Sequence, residues 1–173
     1  MNLFVNPKKR GFLLPGGCKD LMDVLQLSER KRQADRLTPA VRSELEVGTL
    51  AHIHRHLEKL SSFVAQFTVL AMVSMDGRMR VVLERSADEL RIYPVMGLAD
   101  AEKDAEDFFS ARAIQPCIDF LVGNPGKPTR VLSFPLPFDP SKASEVTSDL
   151  IRSVYGLDAD AEIEFVYVKT AAA

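Results

Sequence analysis

The clearest pattern in the chain is an alternation of apolar and polar positions over residues 67–83, centred on Asp76-Gly77. A three-residue loop of Met75, Asp76 and Gly77, with Gly77 in the left-handed conformation, would pair Val73 with Met79, Ala71 with Val81 and Val69 with Leu83. These residues and Phe67 would make one apolar face, with Leu70, Met72, Ser74, Arg80, Val82 and Glu84 on a mixed, wetter one. A two-residue Asp-Gly turn would instead set Val73 against Arg80. The bulged turn is preferred because it gives a sheet with one wet side.

Residues 89–95 resume the alternation through Leu90 and Ile92 after a turn at Ser86-Ala87-Asp88, which predicts a third antiparallel strand. Upstream, Thr38-Pro39 is a helix-start signal. Val41, Leu45, Ile53, Leu57 and Leu60 then follow at helical spacing, so a helix interrupted near Gly48 is expected to run to about Ser62. A shorter helix is expected over residues 18–27, with Leu21, Met22 and Leu25 as its apolar stripe. Residues 28–36 are almost entirely polar and read as its continuation or as a linker.

In the second half an acidic helix is predicted over residues 101–113, capped by Asp100 and burying Ala105, Phe108 and Phe109. Periodicity leaves residues 117–122 undecided between strand and helix. Leu132, Phe134, Leu136 and Phe138 alternate with Pro135 and Pro137, which suggests an edge strand. Asp139-Pro140 opens a helix that carries Ala143, Val146, Leu150, Ile151 and Val154 on one side and stops at Gly156. A last strand follows, with Ile163, Phe165 and Tyr167 on one face.

This order predicts an α+β fold: a mainly antiparallel sheet of about five strands, helices packed on one face, and an N-terminal helical region in front. Residues 1–37 form an arm with a short helix in this reading, and residues 38–173 a single domain. The 173-residue length is enough for one buried core, and 46% hydrophobic with 27% charged residues is ordinary for a soluble globular protein. No apolar run is long enough for a membrane helix, and residues 1–10 lack the basic-then-apolar order of a secretion signal, so a cytoplasmic location is expected.

Charge is uneven. Residues 1–60 hold 11 Lys/Arg against 7 Asp/Glu, whereas residues 61–173 hold 11 against 17. Such a dipole favours contact with an acidic partner or with another copy of the chain. The basic groups around Lys8-Lys9-Arg10 and Arg30-Lys31-Arg32 have few aromatic neighbours, which argues against nucleic acid.

Candidate chemistry is sparse. His52, His54 and His56 are the three histidines, and on a helix His52 and His56 share a face and could clamp one metal ion. The intervening residues supply no glutamate, so this is not the zinc-peptidase pattern, and a position at the boundary of the core is the plainer reading. Cys18 follows two glycines at an expected helix start beside Lys19, a setting for a reactive thiol or an anion site. Cys18 and Cys117 form no Cys-x-x-Cys pair. No nucleophile-base set, phosphate loop or cofactor motif stands out. The expectation is a non-enzymatic protein-protein interaction or self-associating module. The alternative is a small-molecule or metal-binding enzyme using His52 and His56 or Cys18, and the third reading is weak nucleic-acid association through the basic N-terminal region.

Overall fold

A computed structural model describes residues 42–62, 68–95, 99–122 and 129–169. The expected helix at residues 18–27, the basic groups upstream of residue 37, and Cys18 with Lys19 lie outside them. The strands are β1 (Arg42–Thr49), β2 (Val69–Ser74), β3 (Arg80–Arg85), β4 (Leu90–Pro94), β5 (Ile118–Val122), β6 (Thr129–Leu136) and β7 (Glu162–Lys169). The helices are α1 (Ile53–Ser61), α2 (Ala99–Ser110) and α3 (Pro140–Tyr155). The sheet order is β1-β7-β2-β3-β4-β6-β5, with every neighbouring pair antiparallel. The α+β class and the antiparallel sheet hold, but the described residues alone form seven strands rather than about five.

The main core lies between the sheet and the three helices. Ile53, Leu57 and Leu60 from α1, Ala105 and Phe109 from α2, and Ala143, Leu150 and Ile151 from α3 close over Leu70, Met72, Val81, Leu83, Ile92, Phe134, Phe165 and Tyr167. The helix α3 matches its sequence signals. Asp139 accepts a hydrogen bond from the Lys142 backbone N–H at 2.9 Å, Pro140 occupies the first turn, and Gly156 ends the helix at φ 65°. Likewise β7 buries Ile163, Phe165 and Tyr167 as its alternation required.

The central hairpin takes the register that the one-wet-side argument rejects. Val73 pairs with Arg80, Met72 with Val81, Ala71 with Val82 and Leu70 with Leu83. Gly77 does adopt a left-handed conformation, at φ 74°, but within a four-residue connection between Ser74 and Met79. Ser74 sets that connection. Its N–H donates to the Met79 carbonyl at 3.1 Å, its Oγ accepts the Met79 N–H at 2.9 Å, and the same hydroxyl donates to Asp76 at 2.6 Å. The faces of β2 are consequently inverted: Leu70 and Met72 face the helices, while Val69 and Ala71 face away. The β3 face of Met79, Val81 and Leu83 is as expected.

The reason is that this sheet has no wet side at its centre. Val69, Ala71, Val82, Tyr93, Val131 and Val168 form a second buried cluster on the far face. Alternation selects a register when one face is polar. Here both registers bury oily side chains, and the turn chemistry decides.

Two further expectations are corrected. Residues 42–49 form β1 rather than a helix: the spacing of Val41 and Leu45 reads as helical, but Ser43, Leu45 and Val47 also alternate with Glu44 and Glu46, and pairing with β7 along all eight residues overrides local propensity. The expected break near Gly48 becomes the end of that strand, followed by a 3-10 turn at Leu50–His52 and then α1. Secondly, β6 lies inside the sheet, between β4 and β5. It tolerates Pro135 because β5 pairing stops at Ile118 opposite Ser133. Ser133 directs its carbonyl toward Cys117, so Pro135, two residues on, turns its missing N–H to the same side, beyond the end of β5. The undecided residues near 118–122 are the edge strand β5.

Candidate functional site

The end of β1, the start of α1 and the centre of β7 bring together the most unusual group of side chains in the described structure. His56 is 3% exposed. Its ring stacks on Phe165 at 3.6 Å between centroids, 6° from parallel, and its Nδ1 lies 2.5 Å from the Tyr167 hydroxyl. Lys59, one helical turn on, places its ammonium 4.1 Å above the Tyr167 ring and donates to Glu46 at 2.6 Å and Glu44 at 3.0 Å.

This order follows from three periodicities. His56 and Lys59 are three apart on α1 and share a face. Glu44 and Glu46 alternate inward on β1 opposite Tyr167 and Phe165, which alternate inward on β7. Gly48 permits the close approach, since a Cβ there would stand 3.3 Å from both His52 Nδ1 and Phe165 Cε2 and 3.7 Å from His56 Nε2.

The electrostatics follow from burial. Desolvation pushes the His56 pKa down to about 4, helped by the nearby Arg55 and Lys59 charges and opposed by Glu46, so the ring is neutral at physiological pH. Burial also holds the Tyr167 phenol well above its ordinary range, with Glu46 adding to the effect. Burial opposes the charge on Lys59, but its hydrogen bonds to Glu46 and Glu44 outweigh that and raise its pKa, while the Lys59 hydrogen bond holds Glu46 low. A protonated phenol against a neutral imidazole makes a hydrogen bond without placing a net charge in the core.

The sequence-derived candidates separate here. His52 is exposed, and its Nδ1 accepts the Thr49 backbone N–H at 3.1 Å, the role a glutamate plays when it closes a helix start. His54 lies 3.3 Å from Glu58, one turn on. His52 and His56 both approach Gly48, but among the described residues no group of three or more His, Cys, Asp or Glu is arranged to hold a metal ion. Cys117 is a free, exposed thiol whose Sγ is 3.2 Å from Ser133 Oγ. Sequence reasoning missed Glu46, Lys59, Phe165 and Tyr167 as neighbours of His56; the inward alternation of β7 was a signal for the last two.

Two other surface features stand out. An open depression of about 350 Å³ at the β2-β3 hairpin is lined in part by Ser74, Asp76, Arg78, Asp158, Asp160 and Glu162. Hydrogen bonds from Ser74 and from the Arg78 backbone and side chain hold the Asp76 pKa down at about 2. At the sheet margin, β1 pairs with β7 on one side and with no other described strand. On its far face Leu45 is 58% and Val47 63% exposed, and Leu121 on the opposite edge strand is also 63% exposed.

No helix among the described residues is long and apolar enough to cross a membrane. Comparisons with protein-family models, with curated proteins and with solved structures return no match.

Proposed function

We propose that the chain is a small cytoplasmic, non-enzymatic interaction module that accepts a strand from a protein partner, a second copy being the simplest one, along the β1 edge. The observation that carries this reading is the eight-residue β1 strand, paired among the described strands with β7 alone and displaying Leu45 and Val47 to solvent. Natural sheets usually shorten, charge or cover such an edge because its free N–H and C=O groups template further pairing. On β1 the acidic residues Glu44 and Glu46 are turned to the helix side, where both pair with Lys59 and Glu46 also with Arg55, which leaves the far face of the edge apolar. Added strands bind through main-chain hydrogen bonds, with alternate side chains supplying specificity.

Sedimentation over a range of concentrations, joined to pull-down with the intact chain, tests this. Self-association or capture of a defined partner is expected. A Leu45→Lys, Val47→Lys double variant should weaken it at least about tenfold, equivalent to about 1.4 kcal/mol. A strict monomer that captures nothing would refute the reading.

Metal binding at His52 and His56 is the second reading, favoured by their common approach to Gly48. It predicts a stoichiometric ion in protein purified without an affinity tag, lost in a His52→Ala variant, which spares the buried His56. Metal-free protein with an unchanged variant would dispose of it.

A further inference from the structure

The direction of each main-chain group on β1 follows from pairing deeper in the sheet. Glu162 accepts the Met75 N–H at 3.3 Å and Val168 the Thr68 N–H at 3.2 Å, so Glu162, Glu164, Val166 and Val168 turn their main chain toward β2. Ile163, Phe165 and Tyr167 therefore turn theirs toward β1, where they lie opposite Gly48, Glu46 and Glu44. On β1 this leaves the N–H and C=O groups of Ser43, Leu45 and Val47 directed away from β7. Thr49 closes the row, because its N–H is held by His52 Nδ1 at 3.1 Å.

Resting on the strand-accepting reading of β1, we infer that the accepted strand is β1 of a second copy, antiparallel and related by a two-fold axis through Leu45. Ser43, Leu45 and Val47 are symmetric about Leu45, so this axis sets Leu45 against Leu45 and Val47 against Ser43, and every outward group in the row finds a partner. A centre at Glu46 would call on the Thr49 N–H that His52 already holds, and a centre at Glu44 would set Val47 beyond Arg42, where β1 begins. The faces match as well. Leu45 and Val47, both exposed, lie along one side of the joined strands, where cross-strand apolar contact shields them from water. On the helix side Glu44 stands opposite Glu46 of the second copy. Each copy also brings Lys59, bonded to both of its own glutamates, and Arg55, 77% exposed and 3.8 Å from Glu46, so the seam carries no net charge. The result is one antiparallel sheet running through both copies.

Disulfide trapping tests this in the full-length chain carrying Cys18→Ser and Cys117→Ser. Leu45→Cys lies on the axis, where paired Cα atoms are about 5.5 Å apart, within the span of a disulfide. In Val47→Cys the two thiols would start from Cα atoms about 14 Å apart. Under mild oxidation Leu45→Cys is expected to form covalent dimer at least about tenfold faster than Val47→Cys, or than Leu121→Cys on the opposite edge strand. All three sites are exposed, so the fold is spared. Equal rates, faster trapping through Val47→Cys or Leu121→Cys, or trapping only when Leu45→Cys and Val47→Cys molecules are mixed, would overturn the inference. Sedimentation and pull-down separate it from the reading beneath it. A chain that stays monomeric but captures a foreign strand keeps β1 as an acceptor and overturns self-pairing, whereas one that captures nothing removes both.

Discussion

Replacing Phe109 with alanine is expected to lower the free energy of unfolding by about 3–5 kcal/mol, the largest effect of any single truncation argued for this chain. Phe109 has no solvent exposure, stacks on Phe134 at 4.0 Å and meets Phe108 edge-on at 5.1 Å. It thus fastens α2 to β6. A second link between these elements is ionic: Arg130 on β6 reaches Glu102 at 2.8 Å and Glu106 at 2.7 Å on α2, and Asp119 on β5 at 2.8 Å. The Arg130 side chain is part-exposed, and such pairs contribute about 0–1 kcal/mol each, less in salt. Buried aromatic packing therefore outweighs the charge network several-fold. Urea unfolding followed by circular dichroism measures both, with Arg130→Met as the comparison. A Phe109→Ala loss below about 1 kcal/mol, or a larger loss for the arginine variant, would contradict this account of how α2 is held.

The same stretch shows which features were legible from sequence. Phe108, Phe109 and Ala105 fall at helical spacing and are buried on α2, while Asp139, Pro140 and Gly156 bracket α3 by local chemistry that tertiary context does not disturb. Ala113, the expected last residue of this helix, is different: it lies past the end of α2, exposed, at φ 55°. Where the reading failed, it needed information held elsewhere in the chain. Leu45 and Val47 make a strand because β7, more than a hundred residues later, comes to lie between β1 and β2. The register at Val73 turned on a Ser74 hydroxyl and on a far face that is itself buried, neither of which a period of two reveals. Pro135 misled in the same way: β6 is not an edge strand but lies between β4 and β5, and the proline fits only because β5 pairing stops at Ser133.

The candidate site was legible to a similar depth. Helical geometry puts His52 and His56 on one face, but it cannot say that His52 lies in the 3-10 turn before α1 with Thr49 on its imidazole, or that Tyr167 meets that of His56. Those partners come from the strand that the helical reading had absorbed and from the last strand of the chain. Once β1 is a strand, Glu46 and Glu44 fall beside Lys59, and the apolar far side of the same edge becomes available for a partner. The histidine cluster and the proposed binding edge are therefore two faces of one element, and a variant on one face must be judged with the other as a control.

His56 should give the protein an acid sensitivity that begins well above the range where carboxylates titrate. Its pKa falls from 6.5 to about 4 on folding, chiefly through burial. The folded state therefore refuses a proton that the unfolded state accepts. The resulting stability is fully present above pH 6.5, is lost progressively as pH falls from there, and is gone once pH drops below about 4, with a total of up to about 3 kcal/mol. Between about pH 7.5 and about pH 5.5 the expected loss is about 1.3 kcal/mol. Over the same interval Glu46, whose pKa is held low by Lys59, stays ionised. Urea unfolding of the wild type and of His56→Gln at both pH values isolates the effect, since His52 and His54 are common to the two proteins. The variant should be less stable at pH 7.5, because it forfeits the stack on Phe165 and strains the Tyr167 hydrogen bond, yet its stability should fall less on acidification. Parallel pH dependences in the two proteins would mean that His56 is hydrated in solution, and the neutral phenol-imidazole pair would then have to be abandoned.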